Sequence, residues 1–365
     1  PLCADFSSLS GYWSNLSFFP SSPPCTLATP AVPLSFLPAS TAGTPATPLW
    51  LHIVGDSNSR NMFTHLTAAL GRGRKISADK VVDSPTHNGT HASVAFRFRA
   101  GSAPEDAHAL PDLVVSWAWW YQAAPSARVL SALDGDARTA AFEVAVTANR
   151  DELLSLVDTD LASFLARAQL SSAIRYSPAL ASIAGTVRPH RTYLSLGSHG
   201  EQLSLAGVAA SLDALFSESS GLSRAARDRA NLRLFTTTLV NTRHIPLARF
   251  PHQDLVRNNA LIGAKNALAA RHAALGGERR VLDVEALTRG VVESDEWMKQ
   301  IHGGPDAVHF RDEVYDEWVR LVWTDLTRGV ALSEDVTVEE ARRRWKRRLA
   351  WAELAVEDEG DDDRY

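Results

Sequence analysis

Cysteine and methionine are scarce in this chain, with two of each among 365 residues. Two thiols cannot build a four-cysteine zinc site, and they are too few for the disulfide-dense scaffolds of small secreted domains. Long apolar runs are lacking as well: no stretch approaches the roughly 18–20 residues that a membrane helix needs. Residues 1–20 hold no basic segment followed by an apolar one, so no signal peptide is read there. The start at Pro1, without Met, reads as a processed or trimmed end, from which any anchor or signal would have been removed. Neither sign of charge dominates; a formal charge of −5 argues against a general nucleic-acid or anionic-membrane partner. No glycine-rich phosphate loop, dinucleotide fingerprint, Cys/His cluster or internal repeat stands out, so neither a bound cofactor nor a metal is expected. His87 and His91 lie four apart, but Asn88-Gly89 between them favours a turn over the helix that a shared metal would need.

What is present is ordinary for a globular protein: 45% hydrophobic residues and 22% charged, enough for a sizeable core. Residues 20–48 are rich in Pro, Ser, Thr and Ala. Their prolines exclude helix and central strand, so 1–48 reads as a lead-in and extended connector. From Leu49 onward short apolar runs alternate with helical patterns. The runs are Leu49–Val54, Ser93–Phe98, Asp112–Trp117, Thr192–Leu196, Arg233–Val240 and Arg280–Val284, nearly continuous in apolarity, as in strands covered on both faces. Between them the spacing predicts helices from Ser59 to Leu70 and over Asp151–Arg167, Gly207–Phe216 and Leu255–Leu275. This alternation predicts an α/β domain over 49–330 with a mostly parallel sheet between helices. Residues 331–365 form a third region, a basic helix over Glu339–Leu354 and an acidic tail from Glu357 to Asp363. That helix reads as a solvated one balanced by its tail, or as a surface for a partner.

Chemistry concentrates in two places. Ile53-Val54-Gly55-Asp56-Ser57-Asn58-Ser59-Arg60-Asn61 reads as strand, turn and helix, the arrangement that exposes a serine hydroxyl at the carboxyl edge of a parallel sheet. Backbone N–H groups at the helix start can face an oxyanion there. The same serine also reads as a helix cap, and the motif alone does not separate the two. The second place is Gly303-Gly304-Pro305-Asp306-Ala307-Val308-His309-Phe310. A serine needs a base, histidine titrates near neutrality, and a carboxylate fixes the imidazole tautomer. Asp306 and His309 on one tight turn supply both, after the last strand, with Gly-Asp-Ser after the first. Ser57, His309 and Asp306 are therefore the expected nucleophile, base and orienting carboxylate.

Gly-Asp-Ser at the first strand with Asp-x-x-His near the end resembles the GDSL/SGNH hydrolases. The longer Gly55-Asp56-Ser57-x-Ser59-Arg60-Asn61 is similar to their PC-esterase branch. That branch holds trichome-birefringence-like polysaccharide O-acetyltransferases and the lumenal domains of sialate and fungal capsule O-acetyltransferases. Pro111–Val115 followed by Trp119-Trp120, and Cys3 with Gly11-Tyr12-Trp13 and Cys25, also resemble blocks of the branch. The resemblance spans residues 3–320 in short blocks. It implies a three-layer α/β/α sandwich and a carbohydrate O-acyltransferase, an O-acetyltransferase above all, with an acyl-enzyme on Ser57. Acetyl-CoA or another acetyl ester would be the donor, and an oligo- or polysaccharide the acceptor. A carbohydrate acetyl esterase of the same triad and a non-catalytic glycan-binding module are the alternatives. The chain departs from the branch at Trp117-Ala118-Trp119-Trp120, which lacks the branch's Gly-His, and the usual asparagine oxyanion donor has no assigned counterpart.

Other residues carry two readings each. Gly197-Ser198-His199-Gly200 can add oxyanion donors to the Ser57 amide, through the Gly197 backbone or the His199 ring, or form a plain turn. Trp119 and Trp120, with Trp117 and Tyr121, make a sugar-stacking platform or pack in the core. Arg60 binds a substrate anion or is a solvated helix residue. Cys3 and Cys25 form a disulfide or stay free thiols. Asn15-Leu16-Ser17 and Asn88-Gly89-Thr90 are glycosylation sequons. With the cysteines they place the chain in the secretory pathway, in the Golgi lumen or secreted.

Overall fold

The computed structural model describes residues 10–14, 17–22, 27, 47–70, 75–79, 91–96, 110–120, 134–167, 178–198, 205–217, 231–245, 258–275, 281–301 and 304–328. Cys3, Cys25, Asn15, Asn88, His199, Gly303, Tyr121 and the basic helix of the third region lie outside them.

In chain order the strands are β1 (Ser10–Ser14), β2 (Ser17–Ser22), β3 (Leu49–Gly55), β4 (Lys75–Asp79), β5 (His91–Phe96), β6 (Leu113–Trp119), β7 (Arg191–Ser195), β8 (Leu232–Phe235), β9 (Val281–Leu282), β10 (Met298–Ile301) and β11 (Gly304–Phe310). The helices are α1 (Ser57–Leu70), α2 (Gly135–Val157), α3 (Leu161–Arg167), α4 (Pro178–Ile183), α5 (Leu205–Phe216), α6 (Asn259–Leu275), α7 (Val284–Thr288) and α8 (Asp312–Arg328). Among the described residues, seven strands form one sheet in the order β4-β5-β6-β3-β7-β8-β9. β6, β3, β7, β8 and β9 are parallel, while β5 is antiparallel to β6 and β4 antiparallel to β5. The fold is therefore mixed α/β around a mostly parallel sheet.

All seven residues of β3 are buried, as a strand covered on both faces requires. Leu49, Leu51 and Ile53 point into one core with Met62, Phe63 and Leu66 of α1 and Tyr315, Trp318 and Val322 of α8. Trp50 and Val54 point into the other, with Leu153, Phe164 and Leu212 of α2, α3 and α5. The chain leaves β3 for strands on one side, β4 to β6, then returns to the other for β7, β8 and β9. The carboxyl end of β3 is thus the switch point of the sheet, where open α/β folds leave a crevice.

Three sequence expectations change. The helix read over Asp151–Arg167 is two, because Asp158 closes α2 and Asp160 caps α3 by accepting from the Ser163 N–H at 2.7 Å. The run Arg233–Val240 is a strand only to Phe235. Beyond it the backbone turns to side chains of α6: Thr237 N–H to Asn266 Oδ1 at 2.6 Å and Val240 N–H to Asn259 Oδ1 at 2.8 Å. The stretch from residue 20, read as connector, begins as strand, since β2 runs to Ser22. β1 and β2 form an antiparallel hairpin, and its Phe18, with Leu27, joins the core of α1 and α8. Trp13 anchors the hairpin by donating from Nε1 to Leu287 O at 2.8 Å.

Candidate active site

Gly55 ends β3 where a side chain has no room: a Cβ there would stand 2.5 Å from Ser59 Oγ and 2.8 Å from Ser195 Cβ. The chain turns on this glycine and enters α1 at Ser57. The cap of α1 is Asp56, not a serine. Its Oδ1 accepts the N–H groups of Asn58 and Ser59 at 3.0 and 3.4 Å. Capping thus falls to the carboxylate, and the Ser57 hydroxyl is left for another partner.

That partner is His309. Its Nε2 lies 2.7 Å from Ser57 Oγ, and its Nδ1 lies 2.9 Å from Asp306 Oδ2. The three side chains, 252 positions apart in the chain at their widest pair, form one continuous line. Ser57 is 7% exposed, while His309 and Asp306 are partly open, so the line ends at the surface of the crevice. Burial works to raise the Asp306 pKa, but the hydrogen bond and charge of His309 and the N–H groups of Val308 and His309 outweigh it and hold the carboxyl below its usual range.

The platform for the pair differs from the tight turn expected. Asp306 and His309 lie within β11, in a distortion of the β10–β11 hairpin. Gln300 pairs with Pro305 and Met298 with Phe310, so the single residue between them on β10 faces four on β11. A bulge of this kind re-aims side chains that a regular strand would send to opposite faces. Asp306 holds the bulge itself, its Oδ1 accepting the N–H of Val308 at 2.6 Å and of His309 at 3.3 Å. Its two oxygens thus divide the work, one shaping the backbone and one orienting the imidazole.

Neighbouring elements clamp the bulge from both sides. Asn241 donates its N–H to Ala307 O at 2.8 Å, and Asn58 Nδ2 donates to Val308 O at 3.3 Å. Tyr315 of α8 donates its hydroxyl to Asn58 Oδ1 at 2.6 Å and accepts from Asn61 Nδ2 at 3.0 Å and from the Phe310 N–H at 3.3 Å. One buried phenol therefore ties the helix of Ser57 to the strand of His309. Sequence reasoning missed Asn58, Tyr315 and Asn241. Asn58 and Asn61 sit inside the serine motif, but nothing local names their partners. Tyr315 belongs to α8, whose apolar spacing over Val314, Tyr315, Trp318, Val319 and Val322 was a legible signal.

The remaining candidates fare differently. Trp120 is 3% exposed and packs with Leu153 and Leu156, its indole donating to Asn149 O at 3.4 Å. It offers no ring face to a sugar, and Trp117, also buried, offers none either. Trp119 remains half-buried beside Gly55 in register, edge-on to Trp117 at 5.8 Å. Arg60, on the next turn of α1 after Ser57, lies 6.0 Å over the Trp117 ring, so it is more than a solvated residue. The Gly197 N–H is directed to Ser195 Oγ at 3.3 Å, which takes it away from an oxyanion role. Gly197 instead faces Asp56, and Ser198 donates its N–H to Asp56 Oδ2 at 3.0 Å.

No protein-family model, curated protein or solved structure compared with the chain matches it.

Proposed function

We propose that the protein is a carbohydrate O-acyltransferase, with acetyl as the acyl group, that works through an acyl-enzyme on Ser57. The observation that carries the reading is the unbroken line Ser57 Oγ–His309 Nε2–Asp306 at 2.7 and 2.9 Å, set at the switch point of the sheet. His309 takes the Ser57 proton as Oγ attacks the acyl carbon, and returns it to the departing donor group. A sugar hydroxyl then gives its proton to His309, attacks the Ser57 ester and leaves acetylated, with the serine proton restored. Asp306 keeps the Nδ1 proton in place throughout. The Ser57 N–H, at the start of α1, is the oxyanion donor this scheme uses, because Asp56 takes the next two.

The sequence blocks shared with the PC-esterase branch support the carbohydrate acceptor and an SGNH-like form of the α/β fold, and the sequons support a secretory compartment. Water in place of the sugar makes the same triad an esterase, and exclusion of water decides between them. The test is hydrolysis of p-nitrophenyl acetate by the wild type and Ser57→Ala, with and without a panel of oligosaccharides. Serine-dependent release with acetylated sugar in the mass spectrum is the expected result. Equal turnover by the alanine variant would sink the mechanism, and serine-dependent release without acetylated sugar would select the esterase.

A further inference from the structure

Lys265 of α6 has no exposed surface, and the reaction above makes no use of it. Its Nζ donates to Gly197 O at 3.3 Å. The peptide unit bearing that carbonyl also bears the Ser198 N–H, which donates to Asp56 Oδ2 at 3.0 Å. One peptide plane thus bridges a buried ammonium and a buried carboxylate, carbonyl toward the cation and N–H toward the anion. Each charge strengthens the hydrogen bond of the other, since both act across the same dipole in a medium of low dielectric. Gly197 permits this plane. Its φ is +72°, and a Cβ would stand 3.2 Å from Asp56 Oδ2. Thr237 Oγ1 gives the Gly197 carbonyl a second donor at 3.5 Å, and Asn266, the residue after Lys265, clamps Thr237 through its N–H at 2.6 Å and its carbonyl at 2.8 Å. At the far end, Asp56 caps α1 on the N–H groups that directly follow Ser57.

We propose that Lys265 is a positioning residue for Ser57: acting through the Gly197–Ser198 peptide, it holds the Asp56 carboxylate and so the turn that aims the serine hydroxyl at His309. The inference rests on the reading of Ser57 as nucleophile. Burial lowers the Lys265 pKa to about 8, with Asp56, the charged group acting on it among the described residues, pulling the other way. Loss of the ammonium proton in mild alkali therefore weakens the bridge, and Ser57 reactivity declines there.

The experiment follows the rate at which an alkyl fluorophosphonate inactivates the full-length chain, forming an Oγ–P bond on Ser57 and releasing fluoride. A Lys265→Met variant should react about tenfold or more slowly at neutral pH, with an unchanged saturation constant, because small misplacements of a reacting group carry losses of that order. Its cooperative melt should persist. The wild-type rate should fall above a pH of about 8, and this alkaline decline should vanish in Lys265→Met. Gly197→Ala should slow the reaction too, and the double variant should be no slower than the worse single one, since both break the same bridge. A Lys265→Met rate equal to wild type with the same alkaline decline would overturn the proposal, as would additive losses in the double variant. If methionine prevents folding, a wild-type rate that stays flat through mild alkali overturns it alone. Labelling of Ser57→Ala at the wild-type rate would instead overturn the nucleophile and the positioning role together.

Discussion

Replacing Asp306 with Asn separates the two tasks that its carboxylate performs. The Asn carbonyl can still accept the N–H groups of Val308 and His309, which Oδ1 holds at 2.6 and 3.3 Å in the native chain. The bulge therefore survives. The amide NH2 then faces His309 Nδ1 where Oδ2 stood at 2.9 Å. A donor at that point requires a bare Nδ1, which moves the ring proton to Nε2. Nε2–H must then donate to Ser57 Oγ, and the base is gone. The expected loss in turnover is about 10⁴-fold, the scale of a wrong histidine tautomer in a serine triad. Raising the pH should not restore it. Asp306→Ala removes both backbone hydrogen bonds as well, at about 1 kcal/mol each, and its melting temperature should fall by roughly a few degrees. The assay is p-nitrophenyl acetate hydrolysis beside thermal unfolding of both variants. An Asn variant within about tenfold of wild type would refute the argument, because no correct tautomer would then be needed. So would activity lost only in step with unfolding.

Asp325 pairs with Arg233 at 2.9 Å and accepts the Tyr193 hydroxyl at 3.0 Å, all three buried between the sheet and α8. Asp325→Ala should cost about 3–5 kcal/mol in urea unfolding, while Arg233→Met with Asp325→Leu should recover most of it, because the single change removes the carboxylate that faces a buried cation. Tyr315→Phe should lose about 1–3 kcal/mol by taking the hydroxyl away from Asn58 Oδ1 and from the Phe310 N–H, and should slow turnover by loosening α1 against β11. His52 and His91 lie buried beneath α3, edge-on to Phe164 at 5.2 and 5.5 Å. Burial, then mutual repulsion and Arg167, lower His52 to about 3, and burial with Arg167 lowers His91 to about 4, each from 6.5. The unfolded chain binds those protons first, so their contribution is complete above pH 6.5 and is lost as the pH falls toward 4. At a pH of about 5 each would have lost about 2 kcal/mol. Melting temperatures between neutral pH and that point, compared with a His52→Gln/His91→Gln variant, test this; equal slopes in the two would contradict it.

Much of this protein was legible without coordinates. The apolar runs marked β3, β6 and β7 because strands covered on both faces leave an unbroken apolar record, and Gly-Asp-Ser marked the turn because local chemistry dictates a strand–turn–helix. The meeting of Ser57, Asp306 and His309 was expected from what a reactive serine would need. The antiparallel strand β4 and the lead-in hairpin left no such record, being short, polar or proline-bearing. Whether Ser57 caps its helix or faces a distant side chain was undecidable locally, because a serine can do either. The answer came from Asp56, whose carboxylate takes the cap. Two consecutive β6-edge indoles, Trp119 and Trp120, read alike in sequence, but alternation along the strand sends one toward α1 and the other into the core under α2. The bulge that turns Asp306 and His309 to one side, the Tyr315 network and the Lys265–Asp56 bridge were decided by tertiary structure alone. The Tyr315 network, the Lys265–Asp56 bridge and the bonds from Asn58 and Asn241 that clamp the bulge join residues far apart in the chain, with partners that no local pattern specifies, and packing of α6 and α8 on the two faces of the sheet brings them within reach.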